Sequence, residues 1–134
     1  MATTQVELVT PDKTLFSGEV EMVACRTVGG GEIAFLAEHT AFLGAIEPGL
    51  LRLIHEGGNE DRYAVHGGFV EVRDNRVVIL ADIAEPAEDI DVQRARRALD
   101  EAGPAGEDED GEAAAARRRA EVRISVAEGG EGRA

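Results

Sequence analysis

The feature that most constrains this chain is a run of short strand-like segments with turn residues between them, which fills residues 5–82. Val6-Glu7-Leu8-Val9 and Val20-Glu21-Met22-Val23 interleave apolar and acidic side chains, the period of a strand with one buried and one wet face. Leu50-Leu51-Arg52-Leu53-Ile54-His55 and Arg62-Tyr63-Ala64-Val65-His66 flank the polar stretch Glu56-Gly57-Gly58-Asn59-Glu60-Asp61, which is hairpin chemistry. Phe69-Val70-Glu71-Val72-Arg73 and Arg76-Val77-Val78-Ile79-Leu80 are joined by Asp74-Asn75, residues that tolerate the positive φ angles of a tight hairpin loop. Gly67-Gly68 links the two hairpins. Short strands with frequent turns predict a sandwich or barrel, and the lack of helical pattern between them argues against a parallel α/β sheet.

The character changes after Pro86. Asp89-Ile90-Asp91 offers N-caps, and Val92, Ala95, Leu99 and Ala102 recur at helical spacing, so residues 91–102 are predicted to form a short amphipathic helix that Gly103-Pro104 stops. Glu107-Asp108-Glu109-Asp110 repels itself, which makes 103–111 an acidic, solvated loop. A second helix is predicted over 112–127 with Ala113, Ala116, Ala120, Ile124 and Ala127 as its stripe, while Val122, Ile124 and Val126 also alternate as a strand would. The glycine-rich end after Ala127 is expected to fray. The chain thus divides into a sandwich domain, 1–86, and a helical tail, 87–134. Alanine makes up half of the first stripe and most of the second, so neither helix buries enough surface to stand alone at about 25 cal/mol per Å². A tail held this weakly is physically able to change position.

A length of 134 residues leaves room for one core and an appendage, and with no Trp, one Tyr and four Phe that core must be built from Val, Leu, Ile and Ala. The net charge of -13 repels phosphate backbones, and no basic stripe precedes Arg117-Arg118-Arg119, so nucleic acid is not expected as a partner. Cys25 is alone, which excludes an internal disulfide, and its alternating surroundings make it a small buried residue rather than a reactive thiol. No apolar run approaches the ~20 residues of a membrane span, and the N-terminus lacks a basic segment followed by an apolar one. The reading is a soluble, cytoplasmic protein that reaches a membrane only through a partner.

No constellation in the chain looks catalytic. His39, His55 and His66 lie far apart without metal-ligand spacing, so a metal site would have to be assembled entirely by folding. Gly29-Gly30-Gly31 lacks the trailing Lys-Ser/Thr and the following helix of a phosphate loop and reads as a turn. The excess of acid makes any one carboxylate pair uninformative about proton transfer.

One stretch is more specific: Gly31-Glu32-Ile33-Ala34-Phe35-Leu36-Ala37-Glu38-His39-Thr40-Ala41-Phe42-Leu43-Gly44-Ala45-Ile46-Glu47-Pro48-Gly49. It resembles the signature region of the epsilon subunits of bacterial F-type ATP synthases. Leu15-Phe16-Ser17-Gly18, His66-Gly67-Gly68-Phe69-Val70-Glu71-Val72 and Val78-Ile79-Leu80-Ala81-Asp82 look like further segments of that family, in the same order and spacing, so the resemblance covers residues 5–102. It implies a mainly β fold with an α tail: an N-terminal β-sandwich of about ten strands followed by a short C-terminal helical hairpin. It also implies a non-catalytic central-stalk subunit that needs no cofactor. Such a subunit docks on the gamma subunit and the c-ring at the cytoplasmic face of the membrane, exposing residues 32–49 for that contact. Loops carrying Glu32, Glu38 and His39 would face the polar loops of the ring, the plainer readings being a solvated turn carboxylate for Glu32 and a loop-bonded histidine for His39. Ala37-Glu38 stands where Pro-Gly is usual and Thr40-Ala41 where Ala-Pro is usual, so the loop loses stiffening prolines and gains a charge.

Ile90-Asp91-Val92-Gln93-Arg94-Ala95 is similar to the motif linked in some epsilon subunits to ATP binding by the tail. That resemblance implies ATP as a regulatory ligand, with Arg94 on phosphate oxygens, Asp91 on ribose or adenine, Ile90 and Ala95 within the motif, and Glu85 as a further contact. An Asp N-cap followed by Arg is also ordinary helix chemistry. Tail arginines that would complete such a site fall among Arg117, Arg118 and Arg119. The same three would meet acidic surfaces of the alpha and beta catalytic subunits if an extended tail restrains hydrolysis; the plainer reading is a solvated helix face. Two other classes are a free-standing β-sandwich that binds a ligand or protein, and a jelly-roll metalloenzyme using His39, His55 and His66.

Overall fold

The computed structural model describes residues 2–102 and 111–129. The expected acidic loop therefore lies almost wholly outside the described residues, as does the chain end from 130 onward. The strands are β1 Thr4–Val9, β2 Thr14–Val20, β3 Met22–Thr27, β4 Gly31–Leu36, β5 Phe42–Ile46, β6 Gly49–Ile54, β7 Glu60–Val65, β8 Gly68–Arg73, β9 Arg76–Ala81 and β10 Ala84–Pro86. They form two layers, β10-β7-β6-β3-β4 and β5-β8-β9-β1-β2, joined at one corner where Thr27 pairs with Ile46. Neighbours are antiparallel except β1 and β9, which run parallel from Gln5 opposite Arg76 to Val9 opposite Leu80. This is the mainly β sandwich with an α tail.

Alternation sets the layers face to face. Val6, Leu8, Val70, Val72, Val77 and Ile79 of one sheet meet Val23, Cys25, Phe35, Leu51, Leu53 and Val65 of the other in one core. With no tryptophan available, Phe35 is the largest fully buried side chain. Cys25 is 1 % exposed, and burial, with Glu32 adding to it, pushes its thiol up to about 12, so it stays protonated and inert.

Two turns define the ends of the sandwich. Asp74 and Asn75 take φ 53° and 59°, the conformation expected of the tight β8–β9 hairpin. The β6–β7 loop is shorter than the expected 56–61 stretch, because Glu60 and Asp61 already pair with Ile54 and Leu53. At the opposite end Gly68 has φ 135°, and a Cβ there would lie 2.1 Å from the Leu80 carbonyl oxygen. Only glycine lets β8 start this close to β9.

The tail begins with a 3-10 turn, Ala87–Asp89, followed by α1 Val92–Ala102 and α2 Glu112–Ala127. Asp91 caps α1: its Oδ1 accepts the Arg94 N–H at 3.0 Å and its carbonyl accepts the Ala95 N–H at 3.0 Å. Val122, Ile124 and Val126 belong to a helix, not a strand. The expected stripe of α2 needs correction: Ala113 is exposed, and the buried residues are Ala114, Ala120 and Val126. Four successive alanines leave the helix phase open, and Val122 and Val126 set it by packing with Leu50 and Ala64 of the sandwich and with Ala87 and Ile90. Arg96 and Glu128 form an ion pair between the two helices.

Candidate functional site

Residues 32–49 form β4, a loop and β5 along one edge of the sandwich, and they do not fold inward. Glu32, Ala34, Leu36, Glu38 and Leu43 face outward while Phe35 and Ile46 enter the core. The loop residues expected to act together are split between the two ends. Glu32 lies beside the β3–β4 turn, opposite Arg26, whereas Glu38 and His39 follow Leu36 at the far end of β4. At about 3.3 Å per residue, a strand separates them by roughly 20 Å. One partner covering a single end of the sandwich cannot meet both groups.

The Glu38–His39 loop is stitched to its surroundings. Asn75 Oδ1 accepts the Glu38 N–H at 2.8 Å, Asn75 Nδ2 donates to the Thr3 carbonyl at 3.0 Å, and the Asn75 carbonyl accepts the Gln5 N–H at 3.2 Å. His39 Nδ1 donates to the Thr40 carbonyl at 2.7 Å, and its ring meets Phe35 edge-on at 4.9 Å. Glu38 itself has φ 62°, a left-handed conformation that glycine adopts without strain. Glu38→Gly is therefore expected to raise the unfolding free energy by about 0.5–1 kcal/mol, the relief of strain being partly offset by the flexibility of glycine in the unfolded chain. Urea unfolding of the two proteins checks this.

A surface that sequence reasoning missed lies on the outward face of β5, β8 and β9. Leu43, Phe69 and Leu80 are 72 %, 56 % and 54 % exposed. Phe69 sits between Ala45 on one side and Leu80 on the other. Val28, whose N–H donates to the Ala45 carbonyl, extends the patch. The signal was present in Phe69-Val70 and Ile79-Leu80, where both faces of a strand carry large apolar side chains. A contiguous apolar patch of this kind marks a contact surface.

The histidines do not converge. His39 is held within its loop, His55 Nε2 pairs with Asp61 at 2.8 Å, and His66 Nε2 donates to Glu85 Oε1 at 3.2 Å. No metal-binding cluster occurs among the described residues.

Glu85 is the centre of the tail contact. Its Oε1 also accepts from Arg123 Nε at 2.7 Å, and the His66 hydrogen bond first, then Arg123, hold the carboxyl down at about 2 despite its partial burial. The arginine brought to Glu85 is thus Arg123, not one of Arg117, Arg118 and Arg119. Arg119 pairs with Glu112 at 2.8 Å, while on α2 Arg117 is half-buried and Arg118 is exposed. Of the other motif residues, Asp91 caps α1, Ile90 packs against α2, Ala95 is buried and Arg94 is exposed.

The ATP synthase delta/epsilon chain β-sandwich domain matches residues 3–87. The chain belongs to that family. It is 45 % identical over 128 residues to the ATP synthase epsilon chain of Anaeromyxobacter sp. (strain K), covering 91 % of this chain and 96 % of that one. It is 41 % identical over 119 residues to the epsilon chain of Streptomyces avermitilis, covering 89 % and 90 %. Among solved structures it resembles a chain of the Euglena gracilis mitochondrial ATP synthase OSCP/F1/c-ring assembly, with a TM-score of 0.69 and 30 % identity over 96 % of this chain and 79 % of that one. A chain of the Tetrahymena thermophila mitochondrial central stalk and c-ring shares the fold at a TM-score of 0.55 and 18 % identity, over 92 % and 90 %. An epsilon chain is a subunit of the synthase and not the catalytic one, which fits the missing catalytic constellation in the sequence.

Proposed function

We propose that this epsilon-type chain works in the rotor of a bacterial proton-transporting ATP synthase, coupling rotation of the c-ring to ATP synthesis, and that its tail restrains ATP hydrolysis. The observation that carries this reading is the outward apolar face of Leu43, Phe69 and Leu80, which a chain of net charge -13 leaves open to a protein partner. That face suits the gamma subunit, since a stalk contact that transmits torque must be packed and dry. The Glu32 end, where that carboxylate is exposed, suits the polar loops of the c-ring, since a rim carboxylate steers and registers the contact. The Glu38–His39 end is then left for gamma or for solvent.

The chain would sit on the cytoplasmic face of the membrane, held there by the complex. No helix among the described residues is long and apolar enough to cross a bilayer. Extended along gamma, the tail would carry Arg117, Arg118 and Arg119 toward acidic surfaces of the alpha and beta subunits. ATP would act as a regulatory ligand of the retracted tail through Glu85, Ile90, Asp91, Arg94 and Ala95. In the retracted tail Glu85 Oε1 already has two donors, so a nucleotide amino group would use Oε2.

Reconstitution with gamma and the catalytic subunits tests both parts. The full chain is expected to co-elute with gamma, and deletion of residues 104–134 is expected to leave co-elution intact while raising ATP hydrolysis severalfold. Elution of the chain alone would point instead to a free-standing binding module. Unchanged hydrolysis would remove the inhibitory role.

A further inference from the structure

We propose that His66, Glu85 and Arg123 form an ionic latch that holds the helical tail on the sandwich and sets how often the tail leaves it. Three separate parts of the chain meet in this contact. His66 follows β7; its backbone N–H donates to the Ile83 carbonyl at 2.9 Å and its side chain is buried, so it belongs to the sandwich. Glu85 lies on β10, the short edge strand paired to β7. Arg123 lies on α2, one residue from Val122 and three from Val126.

A single carboxylate oxygen, Glu85 Oε1, takes both donors. The His66 side chain is 3 % exposed, so it presents its Nε2–H from within the sandwich to a carboxylate at the rim. Arg123 is 27 % exposed and Glu85 33 % exposed, which puts the ion pair under the helix rather than in free solvent. A charge-assisted hydrogen bond there is stronger than a neutral one.

Among the described residues, the apolar part of the tail's contact with the sandwich is slight. Beside the ion pair, Val122 and Val126 pack against Leu50, Ala64, Ala87 and Ile90, and the α1–α2 seam rests largely on Ala95, Ala114 and Ala120. With so little apolar area, one ionic contact decides a large share of the tail's retention. The latch needs no nucleotide, and it is independent of what the released tail touches in the complex.

Hydrogen exchange of the full chain, followed by mass spectrometry, tests it. In Arg123→Gln, and equally in Glu85→Gln, amides of 122–127 are expected to exchange about tenfold faster while the strand amides keep the native rate. The double variant is expected to exchange no faster than either single one, because both remove the same contact. Native exchange of α2 in both single variants would overturn the proposal. So would acceleration of α2 and of the sandwich strands together, which would make the cluster a brace of the whole fold, or additive effects in the double variant.

Discussion

Gly68→Ala is expected to lower the midpoint of thermal unfolding by roughly 12–25 °C. The added Cβ would meet the Leu80 carbonyl oxygen at 2.1 Å and the Ala81 Cα at 2.8 Å, both backbone atoms of a strand paired along its length to β8. Neither atom can step aside without breaking the β8–β9 ladder. Overpacking costs about 1–3 kcal/mol, and a positive φ on an L-residue costs about 1–2 kcal/mol more. The sum, about 2–5 kcal/mol, is a large fraction of the stability of a domain this size. Gly67→Ala is the control. There a Cβ would meet only the Asp82 Oδ2 at 3.0 Å, the end of a side chain that can rotate away. Its midpoint is expected to fall by less than half as much. Circular dichroism melts of the two variants decide the matter, and equal midpoints would mean that β8 and β9 are not this close.

Phe69→Asp is expected to leave the isolated sandwich folded and to weaken binding to the gamma subunit by on the order of 100-fold. The ring is more than half exposed, so the fold loses little when it is removed. An aromatic at the middle of a docking face is the residue type whose loss costs 2 kcal/mol or more, and a buried carboxylate without a partner adds to that. Leu43→Asp is expected to act in the same direction. Glu71→Ala, at the charged rim opposite Leu43, is expected to change affinity by about threefold or less. Titration calorimetry against gamma separates the outcomes. If Phe69→Asp binds as tightly as the native chain, the apolar face serves another contact.

The alternation of Val6, Leu8, Val70, Val72, Val77 and Ile79 made one sheet of the sandwich legible, because a period of two leaves a strand little freedom about which side is buried. Asp74-Asn75 made the β8–β9 hairpin legible for a separate reason, the rarity of residues that accept positive φ. The short β10 was not legible, since Ala84-Glu85-Pro86 carries no alternation and becomes a strand only by pairing with Tyr63, Ala64 and Val65. The phase of α2 was not legible, because alanine at 113, 114, 115 and 116 offers no contrast between faces. Contacts between distant segments were hidden altogether. Arg123 and Glu85 are 38 residues apart, and only the seating of α2 on β6 and β7 selects that arginine from its neighbours. The separation of Glu32 and His39 was hidden for the opposite reason: seven residues look close in a sequence, but an extended strand carries them to different ends of the molecule.

The single thiol of this chain has a practical consequence. Cys25 is sealed between the sheets and stays protonated at any pH where maleimides are used, so thiol reagents will pass it by. Fluorophores and crosslinkers can therefore be attached at engineered cysteines on α2, or on the face around Leu43, with the native cysteine left in place. Distance measurements on the tail can then be made in a background that keeps its natural interior.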